Sequence, residues 1–335
     1  MALNNVLAKL AEATRGKGVI TKLDPSPRSK VITLVGKSGT GKTKQASRFP
    51  NPVFISLEKG LSATANVLNM KTSSWSDIIS HVRTFKSRQW LEILESGENI
   101  TIVVDGAEKL ANLAIRKVCS DAGVDSIDQI GHGRGYKKYE DLIANFINDL
   151  MALDYTLVFI LHEAEEKDGF VGIKGDKKRN IDPIIENSDI VAYLTSNGVD
   201  EEGKLVYSSA HLVETPQFFA RCRFEYADTY LPVFTADNLI ELIRVGIERQ
   251  IEAENADTWT TKEQKEAYVS AFTLTFDETI SAIREQYMTL QEMDKLETFA
   301  DVVEKHLGDT PVSEAKPSQF ESLQAIYEEL AELIG

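Results

Sequence analysis

Short apolar runs alternate with helically patterned segments along the first two thirds of the chain. Four of these runs are rich in β-branched residues and cover residues 31–35, 53–57, 100–104 and 156–161. Nearly continuous apolar runs of this length are typical of strands covered on both faces, as in a parallel sheet. The segments between them carry apolar stripes at helical spacing, at residues 78–85, 110–114 and 142–151. The alternation predicts right-handed βαβ units and an α/β core with a mostly parallel central sheet flanked by helices.

The pattern changes to helix only near residue 237. Before that point, further runs predict more strands, some of them antiparallel, at residues 190–195, 205–213 and 218–224. After it, apolar residues recur only at helical spacing, at Leu239, Ile240, Ile243, Ile247, Leu296, Phe299, Val303, Leu307, Phe320, Leu323, Tyr327, Leu330 and Ile334. Pro311 and Pro317 flank a predicted linker before the last helix. We therefore predict an N-terminal helix and lead-in (1–27), an α/β core (28–236) and an all-helical C-terminal region (237–335).

Charge is distributed unevenly between these regions. The 335 residues carry a net charge of −15, with 52 acidic and 37 basic residues. Residues 236–335 hold 22 of the acidic and 8 of the basic residues, a balance of −14, which leaves −1 for residues 1–235. An acidic chain normally argues against a nucleic-acid partner. Here the argument applies to the C-terminal region and not to the core.

The composition excludes several other classes of protein. Cys119 and Cys222 lack the spacing of a disulfide framework or a zinc site. No apolar run approaches the length of about 18 residues that a membrane span needs, and the first nine residues lack the pattern of a signal peptide. We expect a soluble, cytoplasmic protein that has no membrane partner.

A glycine-rich motif follows the first predicted strand directly. Residues 36–43 read Gly36, Lys37, Ser38, Gly39, Thr40, Gly41, Lys42 and Thr43, which satisfies G-x-x-x-x-G-K-[ST]. In such a P-loop the glycines let successive backbone N–H groups point at phosphate oxygens. Lys42 would reach the β- and γ-phosphates of ATP, and the Thr43 hydroxyl would ligate Mg²⁺. An ordinary glycine-rich turn explains the strand, motif and helix context much less well.

A carboxylate ends the third strong strand, in the sequence Ile102-Val103-Val104-Asp105. Many strands end in Asp because the side chain caps a turn or a helix. Following a P-loop by about sixty residues, Asp105 is instead the favoured second ligand of Mg²⁺, usually through water.

Two more strands end in polar side chains, Glu58 and His162, and Gly131–Lys138 precedes a helix. With the P-loop, this pattern resembles the RecA-type ATPase core, in particular the short RecA-core ATPases of bacteriophages, over roughly residues 28–235. Several members of that family are single-strand annealing or recombination-mediating proteins. The resemblance implies that Glu58 orients the attacking water and that His162 senses the γ-phosphate, where the family commonly has Gln. From the residues alone, an exposed strand-end Glu and a locally satisfied His are the preferred interpretations.

The resemblance also implies functions for basic residues outside the P-loop. Arg221 and Arg223 share one face of a late strand, where RecA-type proteins place basic residues that reach the ATP of a neighbouring subunit. A basic strand face that is simply solvated remains open for this pair. Two basic segments, predicted as loops at 131–138 and 163–180, suit single-stranded DNA, because cations neutralise phosphates and rings stack on bases. Their candidate DNA-binding residues are Arg134, Tyr136, Lys137, Lys138, Phe170, Lys174, Lys177, Lys178 and Arg179. Solvated loops are the alternative for these segments.

The sequence thus predicts an oligomeric ATPase, a ring or filament with ATP at subunit interfaces, that binds single-stranded DNA in phage recombination or annealing. A single-strand DNA-binding protein, or another replication or recombination protein, is a candidate partner. Two alternatives stay open: a P-loop phosphotransferase or nucleotide-gated regulatory module, and a hexameric helicase or translocase on the same core. The acidic C-terminal region would limit DNA binding to the loops, contact a basic partner protein, or serve only solubility.

Overall fold

The computed structural model describes residues 9–10, 22–59, 61, 64–165, 169–256, 258 and 276–334. Most of the predicted N-terminal helix and lead-in (1–27) lies outside these residues. Within the described residues the chain forms two compact units, residues 1–267 and 268–335. No helix described there is long and apolar enough to cross a membrane.

The first unit is built on one ten-stranded sheet. Its strands are β1 (Val31–Gly36), β2 (Pro52–Ser56), β3 (Leu68–Met70), β4 (Thr101–Asp105), β5 (Thr156–Glu165), β6 (Val171–Ile173), β7 (Ile190–Thr195), β8 (Ser209–His211), β9 (Arg221–Cys222) and β10 (Tyr230–Leu231). The main path runs β10-β8-β7-β1-β5-β4-β2-β3, with β6 paired to β5 and β9 paired to β7. From β7 to β3 every pairing along this path is parallel, whereas β8, β9, β10 and β6 pair antiparallel.

Helices cover this sheet and explain its apolar strands. They are α1 (Lys42–Ala46), α2 (Trp75–Phe85), α3 (Arg88–Glu95), α4 (Leu110–Ala122), α5 (Arg134–Met151), α6 (Asp182–Asn187) and α7 (Ala236–Glu254). All residues of β1 and β4 are buried, as expected for strands with both faces covered. The α/β class, the mostly parallel central sheet and the C-terminal helical region are confirmed.

Helix α7 belongs to the first unit, whereas the apolar pattern of the sequence predicts it as part of the C-terminal region. Its apolar residues Leu239, Ile243 and Ile247 are buried in the same hydrophobic cluster as the strand residues Ile32 and Ile160. Its first backbone N–H, that of Ala236, donates to the Gln45 side chain of α1 over 3.1 Å. The boundary predicted at residue 237 is therefore misplaced, because an apolar helical stripe does not reveal which surface covers it.

The second unit is helical and has a hydrophobic core of its own. It contains α8 (Phe276–Glu292), α9 (Leu296–Leu307) and α10 (Phe320–Ile334). Its buried cluster comprises Ile283, Leu290, Val302, Leu307, Leu323, Ile326 and Leu330. The segment between Pro311 and Pro317, predicted as a linker, holds a short 3-10 turn at Val312–Glu314, and a second turn begins at Pro317.

Candidate functional site

The ends of four parallel strands bring the predicted site residues to one edge of the sheet. Gly36 at the end of β1 is the register partner of His162 on β5. Asp105 at the end of β4 is the register partner of Ser56 at the end of β2. Because the strands are parallel, their carboxyl ends open on one crevice, the usual ligand position in an α/β sheet. We refer to this as the carboxyl edge.

The loop from β1 to α1 has the backbone shape of a phosphate cradle. Gly39 and Gly41 have φ of 89° and 84°, in the left-handed region that glycine adopts without strain. Within the described residues, the backbone N–H groups of Gly39, Gly41, Lys42 and Thr43 have no hydrogen-bond acceptor. Gly41, Lys42 and Thr43 follow one another in the chain, and a run of free N–H groups of this kind forms an anion-binding nest.

Lys42 is buried inside this loop. Its Nζ donates to the carbonyl oxygens of Gly36 at 2.6 Å and Lys37 at 2.7 Å. Burial lowers its pKa to about 8, although the carboxylates of Glu108, Asp105, Glu163 and Glu58 act in the opposite direction. An ammonium group held between loop carbonyls and close to four carboxylates is well placed to exchange those carbonyls for phosphate oxygens.

Thr43 and Asp105 form the expected magnesium pair. The Thr43 hydroxyl lies 3.2 Å from Oδ2 and 3.3 Å from Oδ1 of Asp105. Burial raises the pKa of Asp105, against the effect of the Thr43 hydrogen bond. Oxygen ligands with one carboxylate, completed by water and phosphate oxygens, suit Mg²⁺, so these two residues fit the ion.

Glu58 lies two residues beyond β2, with its carboxylate at the border of the crevice. Lys109 Nζ is 2.6 Å from Glu58 Oε1, and His162 Nδ1 is 3.8 Å from the same oxygen. Burial raises the pKa of Glu58, but the hydrogen bond and charge of Lys109, with the charges of His162 and Lys42, outweigh it and leave this pKa below its usual value. Gly106 makes room for the side chain, because a Cβ there would lie 2.6 Å from Glu58 Cγ.

Two further residues belong to this site, Glu108 and Lys109, and no motif in the sequence predicts them. Both lie on the 3-10 turn Ala107–Lys109 that follows β4. Glu108 is 6% exposed, and its Oε1 lies 2.8 Å from His162 Nδ1. His162 is thus held by a buried carboxylate, which orients its ring. The ligand atoms of Glu58, Glu108 and His162 lie within 4.8 Å of one another, so the three together could also hold a cation.

A cleft of about 330 Å³ continues from the P-loop along the surface of the first unit. Lys44 and Arg48 of the P-loop helix and its continuation line one side, and Leu205, Val206 and Tyr207 line the other. Its volume and mixed lining fit a nucleoside whose phosphates occupy the P-loop. The sequence does not predict this cleft, because the residues on its two sides lie about 160 positions apart in the chain.

Arg221 and Arg223 lie near the amino end of β1, whereas the P-loop follows its carboxyl end. The backbone N–H of Arg223 donates to Asp189, whose own N–H donates to Val31 at the start of β1. The length of β1, roughly 16 Å, therefore separates the pair from the P-loop of the same chain. Arg221 Nη2 donates to three backbone carbonyls between residues 185 and 188, at 2.5 to 3.1 Å. Arg223 pairs with Asp189 at 3.3 Å. A role toward a neighbouring subunit stays a prediction.

The two basic segments predicted as loops are largely regular structure. Arg134 to Lys138 form the first turn of α5, because Gly133 takes φ of 69° and lets the helix begin there. In the second segment, β5 continues to residue 165 and pairs with β6, and a π-helical turn covers Lys177–Ile181. Residues 166–168 lie outside the described residues. The prediction of loops is therefore wrong for residues 134–138, 163–165, 171–173 and 177–180, whereas residues 169–170 and 174–176 do lie outside helices and strands.

The structure does bring these two segments together. The Arg179 guanidinium lies 4.9 Å from the centre of the Tyr136 ring, whose hydroxyl donates to Asp128 at 2.6 Å. Lys137 is paired with Asp141 at 2.9 Å. Lys138, Lys174, Lys177 and Lys178 are exposed, and Phe170 is half-buried. Asn180, next in the chain, donates to the carbonyls of Ala107 and Glu108, so the combined surface adjoins the carboxyl edge.

A phosphate-binding loop, a strand-end carboxylate bonded to the loop threonine and a mostly parallel sheet define the class of P-loop nucleotide-binding proteins. Residues 28–224 match the family model described as AAA domain, and the chain belongs to this family of P-loop ATPases. It is also 41% identical over 310 residues to the SPbeta prophage-derived uncharacterized protein YorG of Bacillus subtilis (strain 168). That match covers 91% of this chain and 94% of the relative.

Proposed function

We propose that the protein hydrolyses ATP at the carboxyl edge with Mg²⁺ bound by Thr43 and, through water, by Asp105. The observation that carries this proposal is the meeting of the P-loop nest, the Thr43 and Asp105 contact, and Glu58 at one edge. Glu58 accepts a proton from a water whose oxygen attacks the γ-phosphorus, and the bond from that phosphorus to the β-phosphate oxygen breaks. Lys42 lies at the phosphate loop and would neutralise part of the charge on the departing ADP, and a Mg²⁺ ion held by Thr43 and Asp105 would supply further positive charge there.

His162 contacts the γ-phosphate in this proposal. Its Cα is the register partner of Gly36, and Glu108 holds Nδ1, which leaves Nε2 as the other ring nitrogen for a phosphate oxygen. The adenosine occupies the cleft lined by Lys44, Arg48 and Tyr207. The ribose and base then lie beside α1, while the phosphates follow the loop.

We further propose that ATP hydrolysis serves single-stranded DNA binding in recombination or annealing, as in the RecA-type phage ATPases that the motifs resemble. The prophage-derived relative supports a phage origin, and the basic surface around Tyr136 and Arg179 adjoins the ATP site. Subunits in a ring or filament would bring Arg221 or Arg223 to a neighbour's phosphates, once their carbonyl contacts open. A single-strand DNA-binding protein, or another replication or recombination protein, is the proposed partner.

Two substitutions test the ATPase assignment. Lys42→Ala should abolish tight ATP binding and hydrolysis, because the ammonium group between the loop carbonyls is lost. Glu58→Gln should retain ATP binding and slow hydrolysis by about 10²- to 10⁴-fold, the usual effect of removing a general base. Fluorescent-nucleotide binding and phosphate release, measured with and without an oligo(dT) strand, give both quantities together with the oligomer size from light scattering.

The contrary outcomes separate the alternatives. Turnover by Lys42→Ala would remove the P-loop assignment, and loss of binding in Glu58→Gln would make that residue structural. Phosphate transfer to a metabolite by a monomer would favour a phosphotransferase. Directional displacement of a paired strand would favour a helicase or translocase.

A further inference from the structure

A second groove opens on the other side of Glu58 from the P-loop. It has a volume of about 450 Å³ and is formed by the turns after β2, β3 and β4 and by the first turns of α4. In the sheet order, β2 and β3 lie beyond β4, so the groove is separated from β1 by two strands. Glu58 lines this groove and also lies 3.8 Å from His162, and it therefore borders both sites.

The groove is basic. Lys59, Lys109 and Arg116 line it, and Glu58 is the one acidic residue among the described residues of its lining. Lys59 and Arg116 are exposed, and neither has a carboxylate partner among the described residues. Arg116 Nε donates to the backbone carbonyl of Asn112, at 3.3 Å. Lys59 and Arg116 thus present two charges without a carboxylate partner, and cations of this kind in an open groove favour a ligand with repeated negative charges.

Lys109 lines the groove and also contacts Glu58, the proposed general base of ATP hydrolysis. Its side chain is 41% exposed to the groove while its Nζ lies 2.6 Å from Glu58 Oε1. A carboxylate that is neutralised by a hydrogen-bonded ammonium group is a weaker base than a free carboxylate. As long as this pair is intact, Glu58 is restrained as an acceptor of the water proton.

We propose that the groove binds the sugar–phosphate backbone of single-stranded nucleic acid, and that a backbone phosphate draws Lys109 away from Glu58. This inference rests on the proposed ATPase activity. A phosphodiester accepts the same hydrogen bonds from Lys109 as the carboxylate does, and Arg116 and Lys59 hold the neighbouring phosphates. Occupation of the groove then frees Glu58 for the attacking water, so that polymer binding accelerates hydrolysis.

The first test measures binding and needs no turnover. Anisotropy of labelled oligo(dT) and oligo(rU) strands with the full chain should show weaker binding for Arg116→Ala and Lys109→Met. The slope of log affinity against log salt should fall by about 0.7 for each lost phosphate contact. Lys117→Ala is the matched control, because Lys117 lies beside Arg116 on α4, pairs with Asp121 and lies outside the groove. Affinities of Arg116→Ala and Lys109→Met equal to that of the wild type would overturn the groove assignment, and the comparison of dT with rU identifies the preferred backbone.

The second test measures ATP turnover by the same variants. Lys109→Met should raise the rate without polymer about 2- to 5-fold, the range of a partly exposed ion pair, and should lose most of the stimulation. Arg116→Ala should shift the half-saturating polymer concentration upward, and Lys117→Ala should match the wild type. Unchanged basal rate and stimulation in Lys109→Met, with an active wild type, would overturn the coupling alone. An inactive wild type that still binds strands through Arg116 would instead overturn the ATPase proposal.

Discussion

At the scale of single residues, Glu108 shows how a side chain beyond a strand becomes part of the site at the strand end. Glu108 lies three positions after Asp105. Gly106, with φ of 75°, starts the 3-10 turn that places Glu108 at the carboxyl edge. The spacing is readable in the sequence, but its meaning depends on that turn. The helical stripe at residues 110–114 does not include Glu108, and only the turn shows that this side chain is buried against His162.

A side chain at position 106 is predicted to displace Glu58. Gly106→Ala should slow ATP hydrolysis strongly while ATP binding remains, because the new Cβ would lie 2.6 Å from Glu58 Cγ and force the Glu58 side chain to move. The left-handed backbone adds a cost in the free energy of unfolding of about 1–2 kcal/mol. Phosphate release and nucleotide affinity, measured on the same preparation, check the separation of the two effects.

Gly123→Ala is the control for backbone strain. Gly123 ends α4 with φ of 64°, and a Cβ there would meet no atom within 4 Å. It should lose similar stability in denaturant unfolding and keep the wild-type hydrolysis rate. Equal loss of hydrolysis in both variants would mean that strain, and not displacement of Glu58, is the cause.

At the scale of elements, the strongest strands were predictable and the connections were not. The runs at 31–35 and 190–195 match β1 and β7 within one residue, because a strand buried on both faces must be apolar throughout. The basic segment after His162 became part of a hairpin because Glu163 to Glu165 pair with β6. That pairing depends on backbone hydrogen bonds, which charge and glycine content do not report.

Asn180 joins the π-helical turn to the site, and its substitution is predicted to affect both stability and rate. Its buried side-chain Nδ2 donates to the carbonyls of Ala107 and Glu108 at 3.2 and 3.0 Å. Asn180→Ala should lower the free energy of unfolding by about 2 kcal/mol, since it removes two hydrogen bonds and leaves buried acceptors. It should also slow hydrolysis, because the backbone that positions Glu108 against His162 is released.

Asn187→Ala is the companion variant for this prediction. Asn187 makes one side-chain hydrogen bond, to the Pro183 carbonyl of its own helix α6, at 2.8 Å. Urea unfolding and steady-state turnover should show a smaller loss of stability and an unchanged rate. A normal rate in Asn180→Ala despite the loss of stability would show that the turn does not position Glu108.

At the scale of the whole molecule, the unit boundary and the charge boundary do not coincide. Residues 268–335 hold 14 acidic and 4 basic residues, a balance of −10. Helix α7 lies before this segment and is packed in the core of the first unit. The sequence could locate the change in charge and the change to helix near residue 237. Which surface covers an amphipathic helix is a property of the folded core, and only the structure supplies it.

Two truncations follow from this arrangement. A chain ending at residue 267 should stay folded, hydrolyse ATP and bind oligo(dT) more tightly at low salt, because an acidic unit that repels phosphates is removed. The gain should vanish at high salt, where charges are screened. A chain ending at residue 236 should fail to fold cooperatively, because it loses Leu239, Ile243 and Ile247, each worth roughly 2 kcal/mol of burial.

Thermal unfolding and salt-dependent anisotropy check both chains. Equal DNA affinity of the 267-residue chain and the full chain at every salt concentration would remove the electrostatic role of the second unit. Cooperative unfolding of the 236-residue chain at the wild-type temperature would show that α7 is dispensable to the first unit.

Strand β5 links the central sheet directly to the β5–β6 hairpin. Its residues before His162 are clamped between β1 and β4, and the next residue, Glu163, already pairs with Ile173 of the hairpin. The His162 carbonyl also accepts from the Lys174 backbone N–H at 2.8 Å. Strand β5 therefore runs from the P-loop to the β5–β6 hairpin without an interruption in its pairing. Because His162 is paired with Gly36 on one side and bonded to Lys174 of the hairpin on the other, we expect a ligand bound at the β5–β6 hairpin and one bound at the phosphate loop to influence each other through β5.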